Sequence, residues 1–402
     1  MKMSRINIIV SGIPRNKFSG GLLCVFEYAN GLAEMGHEVR VIPITSSSEP
    51  EWFKPKFEIM HLRNSFWNDF AKTISVLQEF LHKNTSKREV GKSFMRLFLH
   101  RFRKGLPYSF QRAMQIDNLY DNLPPADITL ATHYSTAIVA YMFGSGKKFY
   151  FAQHFEPYFS VDYDEPDLAF IDAWLSYRLP LQIIANSSWL ADRLYEEFGI
   201  EARICPNAIR HEDFYPDGNP PATDERFIVV SYGGRNAKWK GFEDAAEAIR
   251  LAREVIPNLE WRVFGDALLP PDNEIASYVP LGFITGSLLR RAYSSAHVLL
   301  ASSWYESFPL FPLEAMASGT AVVTTPFGTE DYARHLHNAY VVPPKEPKAM
   351  AEAIVTLYKN EGLRQSLSVQ AAKDAKLYTW ERSVGRMAEI MGLSNPAQAV
   401  AQ

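Results

Sequence analysis

The sequence contains little cysteine, which excludes two kinds of protein. Its 402 residues include only Cys24 and Cys205, far apart in the chain. Such a pair provides neither a disulfide framework nor the ligand spacing of a zinc site. Isolated thiols are typical of a reducing compartment, so we expect a cytoplasmic protein.

Long hydrophobic runs are also missing. No stretch approaches the roughly 18 apolar residues of a membrane-spanning helix. The first residues, MKMSRINIIVSG, have a basic start, but their apolar run is short and ends at Val10. We therefore expect a first strand there rather than an export signal.

A large excess of one charge is missing too, except in one segment. The formal net charge of −3 gives no general attraction to nucleic acid. Residues 83–112 contain nine Lys or Arg and one acid, Glu89, with Phe94, Phe98 and Phe102 at helical spacing. This segment is either a basic amphipathic helix at the inner face of a membrane or a solvated helix packed on the first domain.

Two familiar phosphate-binding patterns do not occur. The glycine-rich stretch SYGGRNAKWKGF fits neither G-x-x-x-x-G-K-[ST] nor G-x-G-x-x-G, which argues against an NTPase and an NAD-dependent dehydrogenase. The glycines at 233 and 234 can let the backbone approach a ligand, and Arg235 and Lys240 can neutralise a diphosphate. Alternatively, these cations are ordinary surface charge.

The sequence does contain a regular alternation of short β-branched runs with amphipathic stretches. Strands are predicted at 6–12, 38–44, 126–132, 148–154 and 181–187, and again at 227–234, 260–265, 297–303 and 321–325. Alternation of this kind predicts parallel sheets with helices on both faces.

A proline-rich stretch, RHEDFYPDGNPPATDER, interrupts this alternation. The sequence therefore predicts an α/β protein with two Rossmann-like domains, 1–212 and 227–376, joined by a linker at 213–226. A last helix is predicted over 377–392. It either packs on the second domain or crosses back to the first.

Two prolines mark the start of a helix in SSWYESFPLFPLEAMASG. Proline suits a first helical turn because the N–H it lacks has no intrahelical partner there. Pro309 and Pro312 thus predict a helix that begins near Pro309, with the N–H groups of Leu310, Phe311 and Leu313 free. Such a helix start is suited to bind an anion, phosphate in particular.

Two acids, Glu306 and Glu314, bracket this predicted anion site. Carboxylates beside an anion would accept hydrogen bonds from hydroxyls, as a phosphate flanked by sugars would require. The alternative is that Glu314 complements the helix dipole and that Glu306 is solvated.

These segments together resemble the donor site of the retaining, family 4-type glycosyltransferases with the GT-B fold. The E-x7-E segment, GGR…KG, ANSSWLADRL…CPNAIRHEDFYP and the early FSGG carry the resemblance, which is nearly continuous over 181–345. FAQHFEPYF is similar to bacterial rhamnosyltransferases of this group. The fold so implied has two domains facing across a cleft and a C-terminal helix that crosses back to the first domain.

The resemblance also implies roles for individual residues. Those assigned to catalysis are Glu306, Arg235, Lys240 and His154. Those assigned to donor binding are Glu314 at the ribose, Gly282, Phe283 and Ile284 at the base, Gly234, Pro309, Leu310 and Phe311 near the phosphates, and Gly20 and Gly21 in a mobile loop. Pro309 departs from the pattern, where glycine is common, and removes one N–H. His154 alternatively has a structural role.

The implied activity is transfer of a hexose or deoxyhexose, with rhamnose as one candidate, from a nucleoside-diphosphate sugar to a hydroxyl of a glycan or lipid-linked glycan, as in polysaccharide biosynthesis. The resemblance also implies retention of configuration. We expect no cofactor, and we expect no metal because Arg235 and Lys240 can supply the positive charge that a metal ion would supply. Alternatives are a sugar-nucleotide epimerase or phosphorylase of the same fold, or a non-catalytic nucleotide-sugar binding protein.

Overall fold

The structure is a computed structural model that describes residues 3–16, 18–45, 47–61, 123–162, 165–218, 226–233, 237–265 and 276–393, with a few positions between 74 and 94. The basic segment 83–112 and the linker 213–226 therefore lie partly outside the described residues. Gly234 and Arg235 lie wholly outside them.

The chain divides into two compact units. The first comprises Met1–Ile184, Leu194–Arg203 and Val384–Gln402, and the second comprises Ala185–Arg193 and Ile204–Ser383. Each unit contains its own parallel sheet, as the alternation of strands and helices predicts.

The described strands of the first sheet follow the order β3-β2-β1-β4-β5-β6-β7. They are β1 (Arg5–Val10), β2 (Glu38–Pro43), β3 (Glu58–Ile59), β4 (Ile128–Ala131), β5 (Lys147–Ala152), β6 (Gln182–Ala185) and β7 (Arg203–Ile204). The helices between them are α1 (Gly20–Glu34), α2 (Tyr134–Phe143), α3 (Pro166–Ser176) and α4 (Ser188–Phe198). The strand order reverses between β1 and β4.

The second sheet has the order β10-β9-β8-β11-β12-β13. Its strands are β8 (Phe227–Tyr232), β9 (Leu259–Phe264), β10 (Val279–Gly282), β11 (Val298–Ala301), β12 (Ala321–Thr324) and β13 (Tyr340–Val341). The helices are α5 (Phe242–Arg253), α6 (Gly286–Ser294), α7 (Leu310–Ala317), α8 (Pro347–Lys359), α9 (Glu361–Ala375) and α10 (Trp380–Met391). Here the order reverses between β8 and β11.

Strand β8 shows why both faces of the second sheet are covered. Val229 packs in one hydrophobic cluster with Trp261 and Ile249, whereas its neighbours Ile228 and Val230 pack in the other. Successive side chains of a strand point to opposite faces, so a continuous apolar run must be buried on both.

The C-terminal helix belongs to both units, which confirms the predicted crossing back. Residues from Val384 onward are part of the first unit, and Val384, Met387 and Met391 are buried. Gly31 in α1 permits this contact, because a Cβ atom at residue 31 would lie 2.4 Å from Cγ2 of Val384.

No helix in the described part of the chain is both long and apolar enough to cross a membrane. Cys24 and Cys205 are both buried, and neither is in a disulfide.

Gly31→Ala should destabilise the protein by about 1–3 kcal/mol because the added methyl overpacks the contact with Val384. Alanine is otherwise preferred over glycine in a helix by about 1 kcal/mol. Gly385→Ala is the matched control, since no atom lies within 4 Å of a Cβ there, and it should be mildly stabilising. Urea unfolding followed by circular dichroism measures both changes, and equal midpoints would contradict the packing argument.

Candidate functional site

A pocket opens in the second unit at the carboxyl ends of β8, β11 and β12. Its lining includes Tyr232, Lys240, Ser303, Glu306, Pro309 and Phe311. Strands β8 and β11 are neighbours at which the strand order reverses. Open α/β sheets bind ligands at such a reversal, because the loops on either side diverge and leave a crevice.

Helix α7 begins at this pocket as the prolines predict. Pro309 is its N-cap residue, with φ −66° and ψ 127°, and Pro312 is the third helical residue. In the first turn only Leu310 and Phe311 therefore carry a free backbone N–H. Leu313, predicted to offer a third free N–H, is the fourth helical residue, the first position at which a regular α-helix pairs the N–H with a carbonyl four residues earlier.

Lys240 and Glu306 form an ion pair in the pocket, with side chains 16% and 13% exposed. The Ser303 hydroxyl donates to Oε1 of Glu306 at 3.3 Å. The ammonium of Lys240 also lies 4.5 Å from the centre of the Trp239 ring. The pair is thus largely shielded from water, where removing either partner leaves an uncompensated charge.

Gly241 explains how Lys240 comes so close to the end of β11. Its φ is +65°, and a Cβ atom there would lie 2.1 Å from the carbonyl oxygen of Ser302. Only glycine permits both the left-handed turn and this close approach. The short 3-10 turn Lys238–Lys240 is thereby held against the loop that follows β11.

Glu314 lies in α7 and is buried. Burial, with a smaller contribution from the nearby charge of Asp213, raises the pKa of this carboxyl to about 8, although the hydrogen bond from Tyr293 acts to lower it. The Tyr293 hydroxyl donates to Oε2 of Glu314 at 3.4 Å. Glu314 is therefore mostly protonated at neutral pH, whereas the hydroxyl-binding prediction took it as a carboxylate. A protonated carboxyl both donates and accepts hydrogen bonds.

The segment predicted to contact a base follows β10 at the same edge of the sheet. Gly282 has φ +69°, and its carbonyl accepts the N–H of Gly265 after β9 at 2.9 Å. Phe283 is 53% exposed, whereas Ile284 packs against the hydrophobic cluster that includes Leu313.

The remaining predicted residues lie in the first unit, also at a carboxyl edge. Gly20 and Gly21 begin α1, and a Cβ atom on Gly21 would lie 3.5 Å from Oε1 of Gln153. His154 follows β5 and is buried, with Nδ1 3.3 Å from the carbonyl oxygen of Phe155.

His133 is a second histidine at this edge, and it was not among the predicted site residues. It follows β4, which pairs in parallel with β5, and its Nδ1 accepts the N–H of Ser135 at the start of α2 at 3.3 Å. The sequence contained a signal for it, because His133 directly follows the predicted strand 126–132, just as His154 is the last residue of the predicted strand 148–154.

Within the described residues no group of three His, Cys, Asp or Glu is placed to hold a metal ion. The expectation of metal independence took the sequence to have no pair with D-x-D spacing, but Asp162 and Asp164 have that spacing. Asp164 lies outside the described residues.

Residues 226–360 match the family Glycosyl transferases group 1, so this part of the second unit is a domain of that glycosyltransferase family. The D-inositol 3-phosphate glycosyltransferase of Streptomyces bingchenggensis is 25% identical over 238 residues, which cover 52% of each chain. The chain spans about half or less of the length of the curated relatives it matches.

Two solved structures share the whole fold. Sucrose-phosphate synthase from Thermosynechococcus elongatus has a TM-score of 0.66 at 16% identity, and each chain is covered completely. Anabaena Alr3699/HepE in complex with UDP-glucose has a TM-score of 0.63 at 15% identity, covering 97% of this chain and 99% of its own. The predicted two-domain α/β fold of GT-B glycosyltransferases is confirmed.

Glu314→Gln should weaken the pH dependence of stability. The folded pKa of about 8 lies above the ordinary value of 4.5, so the folded chain retains a proton that the unfolded chain releases. The proton retained in the folded state adds to the free energy of unfolding. This stabilisation is fully present below the ordinary pKa of 4.5 and is lost as the pH rises through the folded pKa. As the pH rises from roughly 5 to roughly 9, which spans this loss, Tm should fall further in the wild type than in Glu314→Gln.

Thermal unfolding at several pH values measures this difference. Glu352→Gln is the control, because Glu352 is exposed on α8 and its replacement should leave the wild-type slope intact. Equal loss of Tm with rising pH in Glu314→Gln and the wild type would contradict a raised pKa for Glu314.

Proposed function

We propose that this chain is a glycosyltransferase that moves a hexose or deoxyhexose from a nucleoside-diphosphate sugar to a hydroxyl of a glycan or lipid-linked glycan. One observation carries the proposal. The start of α7 and the cation of Lys240 open on the same pocket, at the strand reversal of a domain from the group 1 family.

The pocket has the charges that a departing diphosphate needs. The N–H groups of Leu310 and Phe311 lie at the positive end of a helix dipole, and Lys240 adds a full charge. On binding, the diphosphate would share Lys240 with Glu306. Donors and cations already in place stabilise charge that develops on the leaving group, without reorganisation during the reaction.

The two acids then have different tasks. Glu306, beside Lys240, would meet the transferred sugar. Glu314, protonated through its burial, would donate to one ribose hydroxyl and accept from the next. Arg235, five positions before Lys240 in the sequence, would contact the second phosphate.

Uridine nucleotides are suitable first probes, because the Anabaena relative by fold is a complex with UDP-glucose. We further propose retention of configuration, with the acceptor hydroxyl entering on the face that the diphosphate leaves. Alignment of donor and acceptor in the site would be a large part of this catalysis. Among deoxyhexoses, rhamnose is the first to test.

A thermal-shift panel of UDP, GDP, ADP and dTDP and their sugars tests donor binding. A ligand at 100 times its Kd stabilises the folded state by about 2.7 kcal/mol, so one base should raise Tm selectively. Lys240→Met should lose most of this response, whereas Lys238→Met, exposed in the same turn, should retain it. No shift with any nucleotide at millimolar concentration would refute the proposal.

Metal independence is tested with the donor that the panel selects. Turnover in excess EDTA should equal turnover in buffer, because Lys240 and Arg235 supply the positive charge that a divalent ion supplies elsewhere. Loss of turnover in EDTA that manganese restores would contradict this expectation.

A further inference from the structure

A buried carboxyl in the first unit connects two neighbouring strands through hydrogen bonds near their carboxyl ends. Glu156 is 3% exposed and begins the 3-10 turn Glu156–Asp162 after β5. Its Oε2 accepts the N–H of Tyr134, the first residue of α2, and the hydroxyl of Tyr150 in β5. Because β4 and β5 are parallel neighbours, one oxygen connects the segments that follow both strands.

A buried tyrosine extends this connection to His154. The Tyr177 hydroxyl donates to the carbonyl oxygen of His154 at 2.8 Å and accepts the N–H of Glu156 at 3.2 Å. The Tyr177 ring stacks on Tyr150, with ring centres 5.4 Å apart. A single phenol therefore holds the backbone on both sides of Phe155.

Glu156 works in this network as a neutral acid. Burial raises its pKa to about 8, and the side chains that the described structure bonds to it or sets beside it are Tyr150 and Tyr177. Its contribution is thus hydrogen bonding rather than ion pairing. The amide oxygen of a glutamine can accept the same two bonds, which provides a conservative replacement.

We propose that Glu156 and Tyr177 are positioning residues for His133 and His154. Glu156 holds the N–H of Tyr134, which directly follows His133, and Tyr177 holds the carbonyl of His154. When these hydrogen bonds are removed, both imidazoles shift while the donor pocket of the second unit stays intact. The inference rests on the proposed function, together with the catalytic role that the family resemblance implies for His154.

The direct test is a proton–carbon NMR spectrum of ring-labelled histidines in the full chain. Substitutions His133→Gln and His154→Gln assign the two signals. His297 of the second unit, whose Nδ1 accepts the N–H of Ile228, is the internal reference. Tyr177→Phe should move the His154 signal alone, Glu156→Ala should move both signals, and Glu156→Gln should move neither.

Kinetics provide the second readout, with UDP release from UDP-glucose as the assay. Glu156→Ala and Tyr177→Phe should lower kcat by about tenfold to a hundredfold, as misplacement near 1 Å does, with KM for the donor unchanged. Glu156→Gln should restore kcat. A purely structural role would instead lower activity in proportion to the folded fraction.

Two results would overturn the proposal: unmoved histidine signals in Tyr177→Phe, or a loss in Glu156→Gln as large as in Glu156→Ala. Should Glu156→Ala not fold, Tyr177→Phe and Glu156→Gln decide the question. If the wild type neither binds nor turns over any nucleotide sugar, the proposed function fails. The NMR spectra still decide whether Glu156 and Tyr177 position the two histidines.

Discussion

All strands of a parallel sheet end at the same edge, and this constraint decides where chemistry can be placed in both units. In the second unit the loops after β8, β11 and β12 meet at that edge. The strand reversal between β8 and β11 separates the loops and leaves the pocket between them. Lys240 follows β8 and Glu306 follows β11, so residues 66 positions apart in sequence come into contact.

Burial then divides the acids of this chain into two kinds. Glu306 is shielded from water and forms an ion pair with Lys240. Glu314 and Glu156 are buried with tyrosines instead, and desolvation raises the pKa of each to about 8. The same side chain is therefore a charged ligand for a cation in one loop and a neutral hydrogen-bonding group in another, depending on the neighbours that the fold supplies.

The sequence could predict the features that depend on local patterns, but not those that depend on neighbours brought together by the fold. Strand β8 and helix α7 depend on local rules, the apolar run FIVVSY and the two prolines, and both were predicted at nearly their true bounds. The protonation of Glu314 depends on Tyr293 and Asp213, which reach it only through the fold. The ion pair of Lys240 with Glu306 was likewise not predictable from any local sequence pattern, although both residues were predicted site residues. Helix α2 was missed because its apolar residues show almost no helical periodicity.

The prolines of α7 show how a backbone rule can set a binding property. With Pro309 as N-cap and Pro312 in the first turn, the helix keeps its dipole but offers only the amides of Leu310 and Phe311. The Phe311 ring stacks on Tyr232, with centres 4.7 Å apart, and both residues line the pocket with Lys240. Under the proposed function, one phosphate fits the two amides and the next reaches Lys240. A triphosphate would find no further amides in this turn, unlike in a glycine-rich loop that wraps its ligand. The absence of two N–H groups thus favours a diphosphate as the leaving group.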